Sequence, residues 1–296
     1  MACFSPLTAY RNPAGGKPLF SRRDSAGMEL KLPCGQCIGC RLEYSRVWAV
    51  RITHEASLHD QNCFVTLTYD DVHLPQNNTL VYRDLQLFIK RLRKSLSPRK
   101  IRYYGAGEYG DQSGRAHYHV CLFGWRPGDL KYYSANKGNP LYTSDYLSDI
   151  WGLGYVTVGD VTFDSAAYVA RYVVKKFKGN GVDDKLIIDC DDDGVLNMRA
   201  PERALMSRRP GIGRNWIDQY GKYTYDHDHV IVNGRPVLPP RYYDTVYEIT
   251  DVDKVEFVKR ERRKNARTRK SDSTDARLRV RAQVKLAELN SLTRLL

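Results

Sequence analysis

The stretch that decides the fold is Ala116-His-Tyr-His-Val-Cys-Leu-Phe123, eight residues with two histidines two apart in an apolar run. In a strand, residues i and i+2 share a face, so His117 and His119 converge on one spot. Upstream, Ile101-Arg-Tyr-Tyr-Gly-Ala-Gly-Glu-Tyr109 also reads as a strand, and Gly110-Asp-Gln-Ser-Gly114 between them reads as a hairpin turn. If the loop is the four residues 111–114, Gly110 faces Arg115 and Glu108 lies directly across from His117. Two imidazoles and a carboxylate would then meet on one face.

Working outward, Arg41 to Leu58 reads as a helix with Leu42, Trp48, Ile52 and Ala56 as its apolar members. Cys63-Phe-Val-Thr-Leu-Thr-Tyr69 reads as a strand. Tyr82 to Leu96 is amphipathic, with Leu85, Phe88, Ile89, Leu92 and Leu96 at helical spacing. A helix is predicted within Thr143 to Trp151, a strand within Tyr155 to Val161, and a helix from Asp164 to Phe177. The order β-α-β-β-α-β followed by a helix predicts an α+β protein of the split βαβ, ferredoxin-like kind. Its central antiparallel sheet would carry helices on one face. The acidic stretch Asp183 to Gly194 reads as an exposed loop, within which Asp191-Asp-Asp-Gly194 is either a cation loop or simply solvated. Asp251 to Leu296 reads as one or two basic helices with a modest stripe of Leu278, Ala282, Leu286, Leu289 and Leu292. The resulting division is a Cys-rich segment and helix at 1–60, a core at 61–180, an accessory segment at 181–250 and a basic tail at 251–296.

On the helix from Asp164, Ala166, Val169, Ala170, Val173, Val174 and Phe177 form a side that can bury. Tyr168 and Tyr172 stand one turn apart beside it, with Lys175 and Lys176 on the same stripe. A phenol has an ordinary pKa near 10 and needs a cation or base to act as a nucleophile at neutral pH. Lys175 follows Tyr172 by three residues and Arg171 follows Tyr168 by three, so each phenol has a basic neighbour. A metal held by Glu108, His117 and His119 beside paired phenols would suit transesterification at a DNA phosphate. Nitrogen and oxygen ligands suit Mg²⁺ or Mn²⁺ there, although Zn²⁺ or Ni²⁺ could occupy the same atoms. Read structurally, the same tyrosines complete the edge of the core.

The chain of 296 residues carries a net charge of +13, which points to a polyanionic partner. From Lys254 onward there are 14 Lys/Arg against 5 Asp/Glu, so +9 of that charge sits in the tail. The body must therefore bind by something more specific than charge. No run approaches the ~18 apolar residues of a membrane span, and Met1 to Asn12 lacks a signal peptide's apolar core. Seven cysteines, three of them bunched, do not resemble a secreted disulfide framework. A reducing cytoplasm is expected.

Cys34-x2-Cys37-x2-Cys40 is a strong metal signal. A nucleobase deaminase is excluded, because no His-x-Glu precedes the cysteines. Tetrahedral Zn²⁺ needs a fourth ligand; an iron–sulfur cluster and free thiols remain the alternatives. The segment Ser207-Arg-Arg-Pro-Gly-Ile-Gly213, with Arg208, Arg209 and Arg214 around glycines, reads either as a contact for DNA backbone or as an exposed structural loop.

The His-hydrophobe-His pair, the strand at Cys63 to Tyr69 and Tyr168-x3-Tyr172 resemble the HUH endonucleases that start rolling-circle replication. Cys3-Phe-Ser-Pro-Leu-Thr-Ala-Tyr-Arg11, Pro33-Cys-Gly-Gln-Cys-Ile-Gly-Cys-Arg41, Gly107-Glu-Tyr-Gly110 and Ser207 to Gly213 are similar to the replication initiation proteins of microviruses of the gokushovirus branch. The resemblance covers roughly residues 1–225. It implies an HUH core, a catalytic divalent ion on His117 and His119 with Glu108 as third ligand, and nucleophiles at Tyr168 and Tyr172 assisted by Lys175. It also makes Cys3 the best fourth zinc ligand, ahead of His54 or His59. DNA contacts are expected from Arg171, Lys176, Arg208, Arg209 and Arg214. The implied partners are a single-stranded DNA replication origin and a host polymerase and helicase, in the cytoplasm of a bacterial host. The rival functions are a non-enzymatic single-stranded nucleic-acid-binding protein and an HUH relaxase or transposase.

Overall fold

The structure, a computed structural model, describes residues 3–22, 27–110, 113–136, 138–175, 187–190, 196–268 and 270–294; for 136, 171–175, 187–190, 196, 197 and 292–294 it describes the backbone alone. In chain order the elements are β1 (Leu7–Tyr10), β2 (Glu29–Leu32), α1 (Ile38–Ala56), β3 (Asn62–Tyr69), α2 (Tyr82–Ser95), β4 (Arg102–Tyr109), β5 (Ala116–Phe123), β6 (Lys131–Asn136) and β7 (Asn139–Thr143). They continue with α3 (Asp145–Trp151), β8 (Gly154–Gly159), α4 (Phe163–Lys175), β9 (Ile187–Cys190), β10 (Leu196–Arg199), β11 (Ala204–Met206), α5 (Arg214–His227), β12 (Val230–Val232), β13 (Arg235–Val237), α6 (Arg241–Tyr247), α7 (Val252–Thr268) and α8 (Asp275–Arg294). Two compact units emerge, one of Met1–Tyr44 with Glu256–Leu296 and one of Ser45–Val255.

The second unit is built on a seven-stranded antiparallel sheet in the order β11-β4-β5-β3-β8-β7-β6. Its middle four strands run β4-β5-β3-β8, so β3 and β4, linked through α2, lie parallel with β5 inserted between them. That is the connectivity of a split βαβ unit. β3 alternates as its sequence demands: Cys63, Val65, Leu67 and Tyr69 are buried while Phe64, Thr66 and Thr68 turn to the other face. On the first face they meet Tyr118, Val120 and Leu122 of β5, Leu85, Phe88, Ile89 and Leu92 of α2, and Leu147 and Trp151 of α3. Each such large apolar side chain contributes about 1.5–3 kcal/mol by leaving water. Ser144 caps α3 by accepting from the Leu147 amide, and Gly152 ends it at φ 63°. Gly107 in β4 is required by a close approach, since a Cβ there would come 2.8 Å from Leu80 and 3.0 Å from the Tyr82 hydroxyl.

The expectation of helices on one face is corrected. α2 and α3 cover one face, while α1 and α4 cover the histidine-bearing face over β4 and β5. Trp48 of α1 packs on Tyr104 at 4.9 Å, Ser45 donates to the Ala167 carbonyl of α4, and Glu55 pairs with Arg102 of β4. Doubly covered, β4 and β5 are buried nearly throughout. The buried residues of α1 in this unit include Ala49, Val50, Ile52, Arg51, His54 and Glu55; Trp48 and Ala56, expected as core members, are half-buried.

The β6–β7 hairpin and β11 extend the sheet where the sequence signalled no strand. The stretch from Asp183, expected as a single loop, contains β9, which pairs with β10; its predicted exposure and the Asp191–Gly194 cation loop lie outside the described residues. In the other unit, β1 pairs with β2, and the tail forms α7 and α8 as the basic pattern predicts. Leu278 is buried, but Leu286 is exposed, so the expected stripe is not a continuous buried face.

Candidate active site

Register across the sheet builds the site. Glu108 pairs with His117, His117 with Thr68 and Thr68 with Tyr155, giving one row over β4, β5, β3 and β8. The next row is Ala106, His119, Thr66 and Thr157. The hairpin is as the loop count predicts, with the Gly110 amide donating to the Arg115 carbonyl at 3.0 Å. Glu108 Oε2 therefore lies 2.9 Å from His119 Nε2 and 3.4 Å from His117 Nε2. The three residues offer ligand atoms within 4.8 Å of one another, a spacing that one metal ion can bridge.

Both imidazoles are oriented from behind. His117 Nδ1 lies 3.1 Å from the Arg115 carbonyl, which can only accept, so Nδ1 carries the proton and the Nε2 lone pair faces Glu108. His119 Nδ1 lies 3.0 Å from the Thr66 hydroxyl, and its ring stacks near Phe64 at 5.4 Å. This is the supporting shell that metal-binding histidines need. Burial would raise the Glu108 carboxyl, but hydrogen bonds from His117 and His119 hold it below its ordinary range. At His117 burial works downward and is overcome by Glu108, which raises the imidazole. Burial wins at His119 and lowers it. The donor set thus fits a divalent cation: a buried carboxylate and two imidazoles, one already favouring the neutral form.

Tyr168 of α4 stands beside this trio. Its ring lies 5.2 Å from that of His119 at 79°, and the residue is 38% exposed. The geometry brings a solvent-reachable phenol to the edge of the metal ligands. Tyr172, Arg171 and Lys175 belong to the same helix, but their side chains lie outside the described residues, and Lys176 lies outside them entirely.

In the first unit, Cys3, Cys34, Cys37 and Cys40 bring their sulfurs within 4.8 Å of one another. Cys3 Sγ is 3.6 Å from Cys34 Sγ and 3.9 Å from Cys37 Sγ. A tetrahedral ion with bonds of about 2.3 Å sets its sulfurs about 3.8 Å apart. Backbone amides of Cys37, Gln36, Cys34 and Phe4 donate to the sulfurs at 3.2–3.4 Å. Burial pushes the Cys37 thiol up, yet the Phe4 and Cys40 amides and neighbouring thiols bring it down to about 6. Burial raises Cys3 and Cys40. The reserve ligands are engaged elsewhere: His54 bonds Tyr243 at 3.0 Å and His59 faces Glu55 at 3.5 Å.

Arg208 and Arg209 are exposed, whereas Arg214 is half-buried and paired with Asp218 at 3.0 Å. Their loop is anchored from below. Glu55 accepts from the Gly213 amide at 2.7 Å, Arg102 donates to the Pro210 and Gly211 carbonyls, and Arg51 donates to Ile212.

Residues 62–177, from β3 to the end of α4, match the family model for replication-associated protein ORF2. The chain is 38% identical to replication-associated protein VP4 of Bdellovibrio phage phiMH2K over 84% of its own length and 78% of that protein. It is 33% identical to replication-associated protein ORF2 of Spiroplasma virus 4 over 90% and 87%. The chain belongs to the replication-associated proteins of microviruses. A third member, replication-associated protein ORF4 of Chlamydia phage 1, is 34% identical over 72% of this chain and 52% of that protein. No solved structure matches significantly.

Two site features of this family member escaped the sequence. Thr66 supports His119, and the only signal was its place on the polar side of an alternating strand. Glu55, Arg102 and Arg51 hold the arginine loop, and nothing in their spacing signalled it.

Proposed function

We propose that this chain initiates replication of a small single-stranded DNA phage by nicking and joining DNA through a tyrosine-linked intermediate. What carries the reading is the approach of the Tyr168 ring to His119, 5.2 Å away, beside Glu108 and His117. It is supported by the β4-β5-β3-β8 order, which a ferredoxin-like HUH core requires, and by relatives that are named replication-associated. In this reading residues 61–180 carry the chemistry, 1–60 a structural metal element, 181–250 accessory contacts and 251–296 a basic tail with non-specific affinity for DNA.

Mg²⁺ or Mn²⁺ held by Glu108, His117 and His119 would polarise the scissile phosphate and offset the charge developing on it. The chain's own groups do the rest. The Tyr168 hydroxyl gives up its proton and its oxygen attacks phosphorus; the bond from phosphorus to the 3′ oxygen breaks, and that oxygen takes up a proton. The products are a 5′-phosphotyrosine and a free 3′-hydroxyl from which a host polymerase, with a helicase, extends. Because the phosphodiester energy stays in the covalent bond, joining needs no ATP. Tyr172, one turn further along α4, is the second nucleophile. Lys175 assists the phenol, and Arg171, Lys176, Arg208, Arg209 and Arg214 contact the DNA.

Cys3, Cys34, Cys37 and Cys40 bind structural Zn²⁺ in this reading, since sulfurs this close suit one ion better than a cluster of several irons. The site of action is the cytoplasm of the bacterial host. Among the described residues no helix is long and apolar enough to cross a membrane.

The test incubates the full chain and Mn²⁺ or Mg²⁺ with the circular single-stranded DNA of its source, followed by a denaturing gel. The expected result is a DNA–protein adduct that survives SDS, is lost in His117→Ala and is absent from the Tyr168→Phe, Tyr172→Phe double variant. Cleavage without an adduct would instead mean hydrolysis by water. Binding with neither would mean a non-enzymatic DNA-binding protein.

A further inference from the structure

The row that carries Glu108 and His117 does not stop at the metal ligands. It continues through Thr68 to Tyr155 on β8. Tyr155 sits on an inner strand, flanked by β3 and β7, yet it is 70% exposed. An inner strand normally hides its aromatic side chains under a second layer, as Tyr118 is hidden on the opposite face of this sheet. On this face α4 and α1 lie over β4 and β5, and Tyr155 is left uncovered. Beneath it the sheet surface is made of half-buried Thr66, Thr68 and Thr157, hydroxyls that can hydrogen-bond phosphate or sugar.

We propose that Tyr155 is a stacking platform for an unpaired base of the DNA strand that runs from the cleavage site across the sheet. The inference rests on the reading of Glu108, His117 and His119 as the place where the scissile phosphate lies. From His117 to Tyr155 is two strand spacings, about 10 Å, so the stacked base lies a few nucleotides from the cut. The continuity of the row with the metal ligands selects single-stranded DNA as the occupant. A duplex would hide its base faces, whereas a single strand offers one at every nucleotide. The threonine floor handles the backbone and the ring handles the base, so the strand is held in line with the Tyr168 hydroxyl without reading sequence.

The test uses the full chain with Mg²⁺ and a labelled oligo(dT) carrying one 5-iododeoxyuridine. Photo-crosslinked peptides are identified by mass spectrometry, and affinity is measured by anisotropy in wild type, Tyr155→Phe and Tyr155→Ala. A crosslink at Tyr155 is expected, with wild-type affinity for Tyr155→Phe and a loss of about 5- to 150-fold for Tyr155→Ala. Unchanged melting of both variants would assign that loss to binding. Wild-type affinity for Tyr155→Ala, or crosslinks only elsewhere, would overturn the proposal. A Tyr155→Phe loss equal to that of Tyr155→Ala would assign the contact to the hydroxyl and overturn stacking. Because the crosslink needs no cleavage, a chain that crosslinks through Tyr155 but forms no SDS-stable adduct would sink the nicking reading and leave the platform standing.

Discussion

Replacing Thr66 by valine keeps the shape and β-branching of the side chain and removes one hydroxyl. That hydroxyl lies 3.0 Å from His119 Nδ1, and His119 is only 6% exposed, so water is a poor substitute. In the metal-free protein His119 Nε2 faces Glu108 Oε2 at 2.9 Å, which favours a proton on Nε2 and makes Nδ1 the acceptor of the Thr66 hydroxyl. Metal on Nε2 would move that proton to Nδ1, and the same hydroxyl would then accept. A threonine serves both states; valine serves neither. Leaving the buried nitrogen without its partner costs about 1–3 kcal/mol, and melting should fall by about 2–12 °C for a unit of this size. Metal affinity should drop about 10- to 100-fold, as for other groups that orient ligating histidines. Calorimetric titration of the full chain with Mn²⁺, run beside a thermal melt, measures both. If Thr66→Val binds Mn²⁺ as tightly as wild type, the hydroxyl does not orient His119 and the argument fails.

Glu55→Gln should destabilise by about 3–5 kcal/mol, because it removes a buried carboxylate and leaves half-buried Arg102 without its counter-charge; chemical denaturation measures the loss, and proteolysis should speed up at the loop that Gly213 anchors. His54 is held neutral by burial with its pKa lowered to about 3. The unfolded chain takes up its proton below about 6.5 while the folded chain refuses it until about 3, so stability should decline through that window as pH falls. His54→Phe should flatten the acid limb of a melting-temperature profile, and an unchanged slope would count against it. Tyr118→Phe removes the hydroxyl that accepts from the Val81 amide at 2.8 Å and meets Tyr69 at 3.0 Å. A loss of about 1–3 kcal/mol is expected, and a melting point equal to wild type would mean that these bonds do not hold β5.

The local half of this architecture was legible and the non-local half was not. Counting the loop 111–114 was enough to set Glu108 against His117, because a hairpin fixes its own register. Thr66 against His119 could not be counted the same way. β3 and β5 are separated by α2 and β4, and their register is set by core packing rather than by any turn. The same reason hid the helices on the second face: α1 carries Arg51, His54 and Glu55 where a core helix would show leucines. Those polar groups are buried because the 210–213 backbone docks on them, and a contact more than a hundred residues away leaves no periodicity. β6, β7 and β11 are short and carry tyrosine, asparagine and proline, so alternation had little to act on.

The residue between the two histidines ties these halves together. Tyr118 points to the face opposite its neighbours, where its hydroxyl meets Val81 and Tyr69, and Tyr69 donates to Asp84 at 2.7 Å. A slip of β5 by one residue would turn His117 and His119 into that core and Tyr118 out of it, exchanging two buried imidazoles for one buried phenol. The polar network on the α2 side thus penalises the very shift that would scatter the metal ligands on the other side. A purely apolar residue at this position would resist the flip through burial alone, with no directional bond to fix the strand along its length. The metal ligands are therefore held in register partly by hydrogen bonds that never touch them.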